Sequence, residues 1–275
     1  MLELPATTSG EQLASYALCP RRFKFRHIDR AEPERRSVSQ ILDAVVRGAI
    51  IWWFTERLAG QEPTMEDADA VAAADLLAET CVAKVRWRNE TPESIEATAQ
   101  ALVRAYLAEY GDLPVIAVEQ PFKVDISDPE TSEYIERPLV GSFDLIIGNG
   151  DKIVHLKTTA RGWSKLSLKR HLPIGAIVAA ANVLHGGPSR VTVHTLLRQK
   201  RPRVELHRVE RGEADNRWFF EAAKDIEAAI HAGHFPPSPG ARCRDCEFAA
   251  RCLGEQAELG AMPAPSATPP AAIGV

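Results

Sequence analysis

Three cysteines crowd into "RCRDCEFAARC" (Arg242 to Cys252), namely Cys243, Cys246 and Cys252, in a chain of 275 residues with five cysteines. The spacing C-x2-C-x5-C leaves a four-ligand site one thiolate short. Cys19, in "YALCPRRF", is the natural fourth, because a cysteine followed by proline sits in a helix-breaking turn where it is exposed and geometrically fixed. Four thiolates hold zinc or an iron–sulfur cluster, and the spacing alone does not separate the two. Either would draw residue 19 to residue 243 and close most of the chain into one loop. By analogy with a disulfide, that closure stabilises by about 5 kcal/mol. The four cysteines therefore read as a structural staple joining the two ends of the fold. Cys81 lies inside an Ala-rich helical pattern and is expected to be a buried thiol.

No apolar run is long enough to span a bilayer; the longest, "AVVRGAIIWWF" and "IGAIVAAANVL", are short, and the first contains Arg47. The start lacks a basic segment followed by an apolar run. A cytoplasmic protein is expected, without membrane contact, in a compartment that favours metal binding over disulfides. The net charge of −4 gives no overall attraction for a polyanion. Two local runs, "RRFKFRHIDR" and "RQKRPR", are dense in cations.

The periodicity changes twice along the chain. Residues 10–27 read as a short helix interrupted at Cys19-Pro20, and 39–58 as a second with Trp52, Trp53 and Phe54 in the core. "MEDADAVAAADLLAETCVAKVRW" reads as a third helix, acidic at its start. A fourth follows, with Thr91 as cap, Pro92 at its first position and Gly111 at its end. "PVIAVEQPFKVDI", "PLVGSFDLIIG" and "KIVHLKTTA" are then strand-like, the last two forming a hairpin about Asn149-Gly150. "SKLSLKRHLPIGAIVAAANVLHGG" returns to helix, "RVTVHTLLRQKRPRVELHRVE" makes two strands about a basic turn, and a last long helix runs through "EADNRWFFEAAKDIEAAIHAG". The expected fold is α/β: a small mixed central sheet flanked by helices, with N-terminal helices and a cysteine-cluster cap. Residues 1–256 are expected to form one domain, and the Pro/Ala-rich 257–275 a disordered tail.

The hairpin places Asp144 on one strand, and His155 and Lys157 on one face of the next. Together with "SYALCPRRFKF" and the C-x2-C-x5-C that follows "FPPSPG", this resembles the PD-(D/E)XK nuclease superfamily. The resemblance runs from about residue 8 to 253. It points to the RecB-like branch with an iron–sulfur staple, as in the AddB nuclease domain and the CRISPR adaptation nucleases. It implies a restriction-endonuclease-like core, and a 4Fe–4S cluster rather than zinc at Cys19, Cys243, Cys246 and Cys252. It also implies DNA processing in repair, recombination or a CRISPR-type pathway, on single strands or ends, and a possible helicase/nuclease partner subunit. In the family, an Asp and an Asp/Glu hold Mg²⁺ or Mn²⁺, while a Lys positions the attacking water. Asp144 and Lys157 match that motif, and Glu119 matches the acid of the preceding strand.

The pattern is broken at several points. His155 stands where the second acid belongs, giving "HLK". The helix motif that brings a His to the metal reads "LDAVVR", with Asp43 for its Gly and Arg47 for its His. Pro173 and Ile177 replace a supporting Gln and Tyr. Imidazole suits Mg²⁺ and Mn²⁺ poorly, and a fixed cation at residue 47 repels a divalent ion. Either the site has ceased to cut, or Asp43, Glu119 and Asp144 form a migrated acid trio with Lys157. Asp43 lies one helical turn before Arg47, so it either pairs with it or supplies the missing carboxylate. Three functions follow: a metal-dependent DNA nuclease, an inactive iron–sulfur subunit that grips DNA or a partner, or a zinc-stapled scaffold. DNA contacts are expected from Arg21, Arg22, Lys24, Lys165, Lys169, Arg170 and Arg201.

Overall fold

The helices start where the sequence supplies caps. The computed structural model describes residues 4–82, 84–128 and 130–254. A two-residue strand β1 (Thr8–Ser9) runs into α1 (Gly10–Leu18), and the Ser9 hydroxyl accepts the Gln12 N–H at 3.2 Å. Cys19 is extended and separates α1 from α2 (Pro20–Phe23), which a π-helical turn prolongs through Lys24–Ile28. After β2 (Arg36–Ser37), a Ser37–Gln40 capping box opens α3 (Val38–Leu58). α4 (Met65–Val82) follows, and then β3 (Val85–Arg86).

Here the expected helix ends early. Residues 85–86 leave it because they pair in parallel with Arg36–Ser37, where the Arg36 N–H also bonds the Lys84 carbonyl at 2.8 Å. A β-branched Val85 suits that extended pairing. Cys81 is exposed rather than buried. The packed stripe of α4 carries Ala68, Ala72 and Leu76 at i, i+4 spacing, and residue 81 falls off it.

Next come α5 (Pro92–Tyr110), capped by Thr91, and the strands β4 (Val115–Val124), β5 (Leu139–Ile147) and β6 (Lys152–Thr159). The single helix expected after them is two, α6 (Lys165–Lys169) and α7 (Leu172–His185). His171 caps α7 through its side chain and Pro173 fits only the first turn, so the chain must break between the two. β7 (Arg190–Leu197), β8 (Arg203–Arg208) and α8 (Glu213–His231) follow, and a 3-10 turn at Ala241–Asp245 carries Cys243. The tail expected at 257–275 lies outside the described residues.

β5 is the hub of a mixed six-stranded sheet. β4 pairs with it antiparallel along its length. β1 joins in parallel only at its start (Ser9↔Val140), and β6 antiparallel only at its end, from Leu145↔Val154 to Ile147↔Lys152. β6 then leaves β5 and continues beside β7 as far as Thr159↔Leu197, with β8 outermost. A cleft therefore opens between β5 and the second half of β6. Helices cover both faces: α3, α4 and α5 pack on Leu145, Val154, Leu156 and Leu196, while α7 and α8 pack with Phe143, Ile153 and Val193. Trp53 and Phe54 are buried in the first core and Trp52 is partly buried against it. Among the described residues, no helix is long and apolar enough to cross a membrane.

Candidate active site

Asp144 sits where β6 departs from β5, with 3% of its surface exposed. Its Oδ2 accepts the Leu156 N–H at 2.8 Å, a bond that replaces the ladder where the strands part. Its Oδ1 accepts from Arg47 Nε at 2.7 Å. His155 Nδ1 lies 2.7 Å from Oδ2, in contact but off the axis of a straight hydrogen bond. Burial alone would raise the Asp144 pKa; the His155 ring, Arg47 and the Leu156 amide outweigh it and hold the carboxyl down at about 2.

Arg47 spans a second acid. Its Nη2 is 2.7 Å from Glu119 Oε1. Glu119 is exposed on β4, across the register from Asp144, between the pairs Val118↔Leu145 and Gln120↔Phe143. Its φ of +45° is left-handed, a conformation that costs a non-glycine residue energy and marks a locally distorted strand.

One turn earlier on α3, Asp43 also reaches the sheet. Its Oδ2 accepts from Lys157 Nζ at 2.6 Å and its Oδ1 from the Thr158 N–H at 2.7 Å. Burial would lower the Lys157 pKa, but Asp43, with Glu11 and Asp144 beyond it, raises it. The local Asp43–Arg47 pair that the i, i+4 spacing allows does not form; each side chain goes to a different partner on the sheet.

Two neighbours escaped sequence reasoning. Glu11, in the first turn of α1, faces the charge of Lys157. His171 packs edge-on against Trp163 with ring centres 4.8 Å apart, and its Nδ1 accepts the Ile174 N–H. Burial pushes its pKa down to about 4, and the charges of His155, Lys157 and Arg211 add to the effect. The Ser/Thr/Asn/Asp cap signal does not include His, and nothing local marks Glu11. Pro173 and Ile177 are buried in the apolar face of α7, where they fill core rather than support the acids.

The cleft thus gathers Asp43, Glu119, Asp144, His155 and Lys157. Their charges, however, are already matched within the chain. A divalent cation seeking Asp144 and Glu119 meets the Arg47 guanidinium between them, so the residues in this arrangement do not fit Mg²⁺ or Mn²⁺. Among the described residues, no three His, Cys, Asp or Glu side chains stand close enough together to hold one metal ion.

Cys19, Cys243 and Cys246 open onto a single cavity of about 880 Å³. Cys19 Sγ accepts the Ser238 N–H at 3.4 Å, and Cys252 is half-buried in the helical turn beyond, its N–H on the Phe248 carbonyl. The expected DNA contacts divide. Arg21 bonds the Phe235 carbonyl, Arg22 pairs with Glu247, Lys24 with Asp29, and Lys169 with Asp215. Arg170 stacks on Trp218, and Lys165 and Arg201 are exposed. Much of "RRFKFRHIDR" therefore fastens the N-terminal helices to the C-terminal segment.

Likeness to known proteins extends to family and fold. The family model of the PD-(D/E)XK nuclease superfamily matches residues 7–253. A solved structure of a candidate exonuclease from Eubacterium rectale is similar over 90% of this chain and 88% of its own, with a TM-score of 0.54 and 11% identity. A second, SSO0001, covers 88% of this chain and 92% of its own at 12% identity, with a TM-score of 0.35. No curated protein sequence matches the chain. The E. rectale structure shares the fold, a mixed sheet between helices.

Proposed function

The chain belongs to the PD-(D/E)XK nuclease superfamily, and from that premise we propose a RecB-like DNA-processing protein that grips DNA without cutting it, as one subunit beside a helicase or nuclease partner. The observation that carries this reading is the single guanidinium of Arg47, 2.7 Å from both Asp144 and Glu119. It satisfies the two acids that a divalent ion needs, and an arginine does not give up its proton to make room. His155 adds a further group that is a poor ligand for Mg²⁺.

The retained Asp144 and Lys157 favour a second reading, metal-dependent phosphodiester hydrolysis on a trio of Asp43, Glu119 and Asp144. That reading requires Arg47 to swing away. The test is cleavage of labelled single- and double-stranded DNA by anaerobically purified protein with Mg²⁺ or Mn²⁺, beside Asp144→Ala. DNA binding without cleavage is the expected result. Cleavage that disappears in Asp144→Ala would overturn it in favour of the second reading.

The same proposal places a 4Fe–4S cluster on Cys19, Cys243, Cys246 and Cys252, within a single unit spanning residues 1–256. In its favour, Cys19, Cys243 and Cys246 line one cavity, although their side chains do not close on a single ion there. The cluster would serve as a staple. Iron and sulfide in the isolated protein, lost in Cys246→Ser, are expected; zinc in their place would make the site Cys-ligated zinc.

A further inference from the structure

The cavity onto which three of the thiols open is larger than a metal staple needs, and its lining is predominantly cationic. Six arginines line it: Arg22, Arg35, Arg86, Arg88, Arg198 and Arg242. Only three lining carboxylates oppose them, in a protein whose net charge is −4. Two of those carboxylates are shared. Asp245 serves both Arg86 and Arg88, and Glu247 serves both Arg22 and Arg26. Glu90 serves Arg198. The sharing of Asp245 leaves charge in excess on Arg86 and Arg88; Arg35, whose partner Glu34 at 3.7 Å lies outside the lining, and Arg242 add two further cations exposed to solvent.

The pairing also holds the guanidinium groups in place, which lowers the entropy lost when an anion binds. Among the described residues the lining contains no Phe, Tyr or Trp, so the walls offer charge but no surface for stacking bases. A volume of about 880 Å³ falls within the range of ligand-binding cavities.

Its position links it to the cleft through two elements. The cavity wall includes Val38, Ser39 and Gln40, the first turn of α3, and Asp43 follows one turn later. It also includes Arg198, whose N–H bonds the carbonyl of Thr159 at the end of β6, two residues beyond Lys157. The two elements that carry Asp43 and Lys157 into the cleft thus begin or end at the arginine-lined wall.

We infer that this cavity is a binding site for the sugar–phosphate backbone of a single nucleic-acid strand, read without regard to sequence and directed toward the β5–β6 cleft. The inference rests on the nucleic-acid role proposed above and names the surface that delivers it. It keeps Arg22 and Arg198 from the basic runs evident in the sequence and joins them to Arg35, Arg86, Arg88 and Arg242, so that the grip is spread over five segments.

The test is fluorescence anisotropy of a labelled single-stranded oligodeoxynucleotide with the full-length, anaerobically purified protein, titrated over a range of salt. The variant Arg35→Gln/Arg88→Gln/Arg242→Gln is compared with wild type and with Lys165→Gln/Arg201→Gln, which lies outside the cavity. Three lost phosphate contacts should weaken binding at least tenfold at low salt. They should reduce the slope of log K against log salt by about 2, since each single-strand contact contributes about 0.7. Arg242→Gln alone should reduce it by about 0.7, which keeps the test available if the triple variant fails to fold. Unchanged affinity and slope in the cavity variants overturn the inference. If iron content falls while binding is unchanged, the inference is also overturned, and the arginines serve the thiols instead. If Lys165→Gln/Arg201→Gln loses binding while the cavity variants do not, the grip lies elsewhere and the nucleic-acid reading stands. If wild type binds neither single-stranded DNA, duplex DNA nor RNA at low salt, that reading fails together with the inference.

Discussion

Asp43 and Lys157 lie 114 positions apart and meet at 2.6 Å across the cleft, while the other Asp43 oxygen takes the Thr158 N–H. One carboxylate thereby ties α3 to the free half of β6, the part of the strand that β5 no longer holds. A double-mutant cycle of Asp43→Asn and Lys157→Met should return a coupling of roughly 1–3 kcal/mol by urea unfolding. A coupling below about 0.5 kcal/mol would mean that the pair does not hold the strand.

Arg47 neutralises a nearly buried carboxylate. Arg47→Met leaves Asp144 with its backbone amide and His155, and should cost roughly 2–4 kcal/mol of unfolding free energy. Asp144→Asn in the same chain removes the stranded charge and should restore part of the loss. If the double variant is as unstable as the sum of the singles, the guanidinium acts through packing and not through charge.

His194 carries a pH dependence of predictable sign. It is 3% exposed, its Nδ1 lies 3.0 Å from the Tyr106 hydroxyl, and burial lowers its pKa to about 4 from 6.5. Between those values the unfolded chain binds a proton that the folded chain refuses. This group's contribution to stability is therefore complete above pH 6.5 and falls as pH drops toward 4, by on the order of 3 kcal/mol. Urea unfolding at a series of pH values should show a flatter profile for His194→Gln than for wild type. Parallel profiles would remove His194 from the account.

Gly10 is needed for a close approach. A Cβ there would lie 2.7 Å from the Pro173 Cα and 2.8 Å from the Ala176 Cβ, so α1 and α7 touch through the missing side chain. Gly10→Ala should destabilise by about 1–3 kcal/mol, because a helix backbone has to move. Thermal unfolding reads this directly, and an unshifted midpoint would mean that the two helices separate freely.

Much of the fold was legible because it is written in near neighbours. Thr91 with Pro92, and the switch from helical to strand-like pattern near residue 115, act within a few residues, and the elements stand where those signals put them. The hairpin motif likewise identified Asp144, His155 and Lys157 as one group, because strand alternation and a tight turn leave little choice of partners. The failures are equally physical. Val85 reads as helix by its neighbours but is claimed by Arg36–Ser37, and Cys81 is exposed because the packed stripe of α4 turns away from it.

Charge pairing is where sequence stops. Asp43 and Arg47, one turn apart on α3, are suited to each other by spacing alone, yet one goes to Lys157 and the other to Glu119 and Asp144. Arg22 reads as a free cation in a basic run and in the folded chain meets Glu247. The amino-acid sequence determined which segments coil, extend and turn, and which residues form the nuclease-like hairpin. The tertiary structure decided which cation neutralises which acid and where the arginines gather. Coulomb energy depends on distance through space, and these partners stand 72 to 225 residues apart along the chain.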